Sequence, residues 1–213
     1  DKTDAAAEIA KDRAEALVLR AMATFDLTRV YGKSYTEDNG ASLGVPVVTS
    51  SLESNVKPAR STVAECYTQV IKDLNDAISS GALSTEVTPG YVSLYAAKAL
   101  LARVYLTKGD WANALSTAED VINNSGRSLW TTNEYVKAWK KDDAAHAKEM
   151  LFELSITNTS DWNDREGIAY MYAENRSDIP GYGDVVASKQ FVNLLAQDPK
   201  DVRADVFLAP SKD

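Results

Sequence analysis

A single cysteine, Cys66, and a single histidine, His146, occur in 213 residues. One thiol excludes an intramolecular disulfide and a cysteine-based zinc cluster, and leaves the redox compartment open. Cys66 falls on an apolar helical stripe, where a packed thiol is the ordinary reading. The one imidazole sits in Lys141-Asp142-Asp143-Ala144-Ala145-His146, which reads as a charged, exposed linker and is badly placed for nucleophilic catalysis. No run of about 18 apolar residues exists, so no segment can cross a bilayer as a helix. Positive charge is scarce as well: 23 Lys and Arg face 31 Asp and Glu, a net charge of −8, which excludes the basic footprint of a nucleic-acid binder. A hydrophobic share of 45% with 25% charged residues is that of a folded chain. The length suits one domain with a sizeable appendage. Beginning at Asp1-Lys2-Thr3, the sequence fits a mature or trimmed fragment as well as a cytoplasmic domain, and its end on Ala209-Pro210-Ser211-Lys212-Asp213 reads as cut.

Helical periodicity dominates the first 127 residues. Leu17, Ala21, Phe25 and Thr28 form a stripe, flanked by Val18 and Met22, in a helix from about Ala5 to Tyr31 that stops at Gly32. Residues 33–60 read as an ordered inserted loop, with an extended stretch at Val45 to Val48. Thr62 and Glu65 have capping-box spacing and open a second helix through Ile78. Thr88-Pro89 predicts an N-cap and first-turn proline for a third helix reaching Lys108, apolar almost all round and therefore central. Gly109-Asp110 turns the chain into a fourth helix with Trp111, Ala114, Leu115, Ala118, Val121 and Ile122. Tyr31, Tyr67, Tyr105 and Trp111 fall at core spacing. Leu27-x-Arg29-Val30-Tyr31 recurs as Leu101-x-Arg103-Val104-Tyr105, and Leu101-Ala102-x-x-Tyr105 with Gly109, Trp111 and Ala114 has a tetratricopeptide pattern. Residues 128–213 read differently: a short helix from Tyr135 to Lys141, a strand near 149–157, a long aromatic loop over 157–187 and a helix near 188–197. The expected fold is mostly α, tetratricopeptide-like antiparallel helix pairs over 1–127 with a loop-rich appended region over 128–213.

Taken in order, several segments resemble the SusD/RagB family of surface nutrient-binding lipoproteins. They are Phe25-Asp26-Leu27-x-Arg29-Val30-Tyr31-Gly32, Leu43-Gly44-Val45-Pro46-Val47-Val48, Pro58-Ala59-Arg60-Ser61-Thr62-Val63, Ala97-x-Ala99-Leu100-Leu101-Ala102-Arg103-Val104-Tyr105-Leu106 and Gly109-Asp110-Trp111-x-x-Ala114-Leu115. The resemblance is specific over about residues 13–125 and rests on weaker features beyond 130. It implies a SusD-like helical fold and non-enzymatic binding of a glycan nutrient at the cell surface. It also implies delivery to a TonB-dependent, SusC-like transporter and outer-membrane attachment through an N-terminal lipidated Cys, which this sequence does not contain. No cofactor or metal is implied.

Local chemistry points to the aromatic loop. Trp162, Tyr170, Tyr172 and Tyr182 occur there beside Asn163, Asn175, Arg176 and Asp178. Flat apolar faces with nearby hydrogen-bonding groups suit a sugar, with Trp162 and Tyr182 leading and Tyr170 and Tyr172 as seconds. The same rings would equally serve to pin the loop to a core. Asp161, Asp164, Glu166, Asp178 and Asp184 show no defensible acid–base pairing for glycoside hydrolysis, and Arg165 breaks any EF-hand spacing. The alternative function is a tetratricopeptide scaffold for a protein or peptide, which would use a helical face where the first reading uses the loops.

Overall fold

The structure, a computed structural model, describes residues 2–139, 146–155, 168–172, 181–183 and 185–207. The chain divides into two compact units, one of Asp1–Arg127 with Leu151–Glu153, the other of Ser128–Met150 with Leu154–Asp213. Secondary structure is mostly helical, and no strand forms among the described residues.

In the first unit, α1 (Lys2–Tyr31), α2 (Tyr35–Asp38), α3 (Val63–Ser79) and α4 (Leu94–Lys108) surround one core, and α5 (Trp111–Asn124) packs on α4. Helix α1 buries Ala14, Val18, Ala21, Phe25 and Thr28, residues three and four apart that share one face. That face meets Val63, Tyr67, Val70, Leu74 and Ala77 of α3, which runs antiparallel to it. The Phe25 and Tyr67 rings meet edge to face, 5.8 Å between centroids. Helix α3 opens on a complete capping box. The Thr62 hydroxyl accepts the Glu65 N–H at 3.2 Å, and the Glu65 carboxylate accepts the Thr62 N–H at 2.7 Å.

The inserted loop is ordered by pairing its two ends. Gly44 N–H donates to the Ser61 carbonyl at 2.7 Å and Ser61 N–H to the Val45 carbonyl at 3.1 Å. Arg60 then donates to the carbonyls of Gly44, Leu43 and Tyr31 at 2.6, 3.0 and 3.0 Å. A cation thus meets a carbonyl in the last turn of α1, where the helix dipole favours positive charge.

Helix α4 starts later than Thr88-Pro89 predicts. Tyr91 N–H closes a turn on the Thr88 carbonyl, Gly90 takes φ +85°, and the buried Ser93 provides the cap by accepting from Ala96 N–H at 3.1 Å. A turn with a left-handed residue cannot be the first turn of a helix. Helix α4 is central in touching α1, α2, α3 and α5, yet only Ala97, Leu101 and Val104 are buried; Leu106 is exposed and the other apolar residues are half-buried.

Among the four rings assigned to the core, Tyr67 is buried and Tyr105 half-buried, while Tyr31 and Trp111 are each 67% exposed. Trp111 opens α5, and Ala114 faces α4 in its place. The repeated pentapeptide also diverges: Leu101 and Val104 are buried, whereas Leu27 and Val30 are exposed. The strand near 149–157 does not form over its described part, 149–155. The segment runs alone past the start of α4, its Glu153 carbonyl accepting from Gly90 N–H at 3.0 Å and its Leu151 carbonyl from the Ser93 hydroxyl at 3.0 Å. With no neighbouring strand among the described residues there is no ladder there to join.

The second unit holds α6 (Thr132–Trp139), α7 (Ile168–Tyr172), α8 (Lys189–Leu195) and α9 (Ala204–Phe207). Helix α8 matches the helix expected near 188–197, with Ser188 as N-cap and Leu195 buried. Helix α6 begins three residues before Tyr135, because Thr131 and Glu134 pair across its first turn.

Leu101→Ala should cost about 2 to 5 kcal/mol, the scale for truncating a buried aliphatic side chain. Trp111→Ala should stay within about 0.5 kcal/mol of the parent, as exposed substitutions do. Urea unfolding of the two variants checks both, and a Trp111→Ala cost equal to that of Leu101→Ala contradicts the exposure of this ring.

Candidate functional site

The described residues bring together two of the four candidate aromatics. Tyr170 and Tyr172 lie on α7, five residues long. Tyr182 N–H donates to the Tyr170 carbonyl at 2.9 Å, and the two rings sit edge to face, 4.8 Å between centroids at 82°. Such an arrangement holds each ring against the other's rim. Tyr170 is half-buried, while Tyr182 keeps 50% of its surface open. Tyr172 is exposed, and two residues along a helix do not share a face, so it stands apart from the pair. Trp162 lies outside the described residues, as do Asn163, Asn175, Arg176 and Asp178. The carboxylates weighed for hydrolysis, Asp161, Asp164, Glu166, Asp178 and Asp184, lie outside them too.

A second aromatic cluster escaped the sequence reading. Trp130 meets Tyr135 at 6.1 Å and Trp139 at 5.9 Å, both edge to face, and Tyr135 meets Trp139 at 6.2 Å. The signal was present: Tyr135 and Trp139 are four apart on one helix, the spacing of same-face neighbours. His146 belongs to this cluster, contrary to the exposed linker expected. Its ring is half-buried, tilted 33° to Trp130 at 6.2 Å, and its Nδ1 is 3.2 Å from the Ala138 carbonyl. A carbonyl partner makes that nitrogen the proton carrier.

Polar ties brace the cluster. Trp130 N–H donates to Glu149 at 2.8 Å. Glu134 accepts from Lys148 at 2.8 and 3.0 Å and from the N–H and hydroxyl of Thr131. The Lys148 hydrogen bond, followed by the Thr131 N–H, holds the Glu134 carboxyl at about 2 against an ordinary 4.5. The Trp130 indole N–H is enclosed and has no partner among the described residues. Among the described residues, no three His, Cys, Asp or Glu side chains are grouped to hold a metal ion.

Against known proteins, residues 1–106 match the SusD-like family model described as starch-binding and associating with the outer membrane. A SusD superfamily crystal structure from Bacteroides thetaiotaomicron superposes on 97% of this chain with a TM-score of 0.81 at 41% identity. The chain belongs to the SusD-like family. A SusD superfamily structure from Bacteroides vulgatus gives a TM-score of 0.82 over 93% of the chain at 30% identity. A SusD-like protein of Bacteroides ovatus is 30% identical over 169 residues, 73% of this chain. This SusD-like chain spans 28% of that B. ovatus protein and 45% and 44% of the two solved chains. Within the described residues, no helix is long and apolar enough to cross a membrane.

The Glu134 tie gives a pH expectation. Its depressed carboxyl contributes stability that is fully present above about 4.5 and is lost as the pH falls through about 2. Near-ultraviolet circular dichroism, read on the Trp130 cluster, should therefore hold from pH 7 to 4.5 and change between 4 and 2. Glu134→Gln should abolish that acid step, and a step that persists in the variant assigns it to another group.

Proposed function

We propose that this chain works as a non-enzymatic, surface-exposed glycan-binding protein that passes its ligand to a TonB-dependent, SusC-like outer-membrane transporter. In this reading residues 1–127 are the tetratricopeptide-like scaffold and residues 128–213 carry the ligand. The reading rests on one juxtaposition: a tyrosine pair, half-buried Tyr170 with open Tyr182, in a chain whose family model is described as starch-binding. Sugar rings offer C–H faces to aromatic rings and hydroxyls to polar neighbours, and the half-open Tyr182 ring supplies the first of these. Trp162 joins the proposed site on composition, with Tyr172 at its margin. A binding role also suits the one histidine, which is spent on a main-chain carbonyl and a Trp ring. Attachment to the outer membrane by a lipid anchor belongs to the same reading, and the family description of association with that membrane supports its location.

One observation favours the alternative, a protein-binding scaffold. Trp111, Leu115 and Ile122 lie exposed along α5, at the four- and seven-residue spacing of a single helical face. A scaffold would meet its partner there; in the preferred reading the same helical side faces the transporter. Only the preferred reading puts the ligand on the second unit.

Calorimetric titration of the 213-residue chain with maltoheptaose tests the proposal. Tyr182→Ala and Trp162→Ala should each weaken binding by about 1.5 to 3 kcal/mol, the scale of burying a large apolar side chain, with little change in melting temperature. Parent-like affinity in both variants removes the site from this loop. The same incubation should release no new reducing ends. Turnover that disappears on changing Asp161, Asp164 or Glu166 would replace binding with hydrolysis.

A further inference from the structure

Beside the α1 and α3 contact lies a cleft of about 610 Å³ in the first unit, lined along α1 by Ala10, Arg13, Ala14, Leu17 and Arg20 and along α3 by Gln69 through Ser80. Its size falls in the range of small-ligand sites, about 300 to 1,000 Å³. Arg20 is fixed there. Its Nε and Nη2 donate to the two Asp73 oxygens at 2.8 and 2.7 Å, and Nη1 donates to the Thr49 carbonyl at 3.3 Å. Asp73 is 2% exposed and also accepts from Gln69 at 2.7 Å, so its charge is enclosed by donors. A guanidinium carries five N–H groups; three are engaged, two remain among the described residues, and the Arg20 side chain is one-third exposed.

Arg13 lines the same cleft, two turns before Arg20 and about 10 Å along the axis. It makes no hydrogen bond or ion pair among the described residues. The other cation, Lys72, is paired with Asp76. Cations therefore outnumber anions by one at this spot, and both carboxylates are already paired. Ala10, Ala14 and Leu17 give the cleft apolar lining, and Thr49, Ser79 and Ser80 also line it. No aromatic ring lines it, so it does not suit the stacking expected at Tyr182. Two guanidiniums with free donors are the usual partners of carboxylates, which they bind in fork geometry.

We propose that the α1–α3 cleft is a second ligand site, which takes the carboxylate of an acidic saccharide, a uronate unit, on Arg13 and Arg20. The assignment rests on the glycan-binding reading for its ligand class. A peptide strand is less suited to the cleft. Helical walls have spent their backbone N–H and C=O groups, which leaves nothing for an added strand to pair with. The Thr49 hydroxyl and the Gln69 amide, one N–H of which is on Asp73, instead match the hydroxyls of a sugar ring.

Calorimetric titration of the 213-residue chain with tri-galacturonate, its fully methyl-esterified form and maltoheptaose decides the matter. The acid should bind at least roughly tenfold more tightly than its ester, and weaken as salt rises. Arg13→Gln should lose roughly tenfold toward the acid, the scale of one charge-assisted hydrogen bond, with unchanged melting and unchanged maltoheptaose affinity. Tyr182→Ala should do the reverse. Equal affinity for acid and ester, or indifference to Arg13→Gln, overturns the cleft site while leaving maltoheptaose binding to judge the glycan reading separately. An acidic hexapeptide that binds as tightly as the uronate, and competes with it, overturns the saccharide assignment.

Discussion

The architecture of the first unit depends on how closely the backbone approaches the first turn of α3. A Cβ on Gly44 would lie 2.8 Å from Cys66 Sγ, and one on Gly32 would lie 2.7 Å from the Thr28 carbonyl and 3.0 Å from a Val63 methyl. Neither position tolerates a side chain, since contacts this short force the neighbours apart. Because the approach is close, the Leu-Gly-Val-Pro segment can pair with Arg-Ser-Thr across the Gly44 and Ser61 hydrogen bonds. That pairing brings Arg60 onto the Tyr31 and Leu43 carbonyls. The end of α1 and the start of α3 are thereby locked together, and the antiparallel packing of Phe25, Val18 and Ala14 on Tyr67, Val70 and Leu74 follows. The buried Cys66 is accounted for in the same way. Its thiol donates to the Val45 carbonyl at 3.4 Å, so it fills the space the glycine leaves.

Toward its other end the α1–α3 pair packs through smaller residues, Ala14 on Ala77 among the buried core, and the polar cleft lies beside that contact. The Arg20–Asp73 pair lines the cleft. One oxygen of Asp73 serves Arg20 alone and the other serves both Arg20 and Gln69, which satisfies a carboxylate that burial would otherwise penalise severely. A partly buried ion pair of this kind fixes the orientation of a guanidinium more than it stabilises the fold.

Legibility in the sequence followed the range of the interaction. Local chemistry was readable: the Thr62–Glu65 box stands where spacing placed it, because it needs only residues within one turn. Helix faces were readable where the stripe was strong, as at Phe25 and Thr28. Failures came where a local signal met a tertiary alternative. Thr88-Pro89 has the form of a helix start, but the segment instead turns at Gly90 and is tied to the returning chain through Glu153 and Leu151. Met150, Phe152 and Leu154 alternate like a strand, yet only Phe152 packs on the core and Leu154 is 76% exposed. Trp111 has the right spacing and the wrong surroundings, since no described element lies over its ring. His146 was misjudged because its partners, Trp130 and the Ala138 carbonyl, sit 16 and 8 residues away. Of the candidate site, the Tyr170–Tyr182 pairing follows from a backbone hydrogen bond across a 12-residue gap, and no local pattern announces that.

Charge separates the two proposed ligand chemistries. A chain at −8 repels polyanions at long range, and at physiological salt that repulsion is screened within about 8 Å. A neutral glucan meets no such barrier and can rely on ring contact alone. A uronate needs cations fixed in advance, close enough to act inside the screening length and held so that binding orders few side chains. Arg20, pinned by a buried carboxylate, meets that requirement without spending its outward donors. Arg13 supplies the second charge on the same face of the same helix. An acidic protein can therefore hold an anionic sugar only at such a pre-organised point, while the open tyrosines are indifferent to the charge of what they stack against.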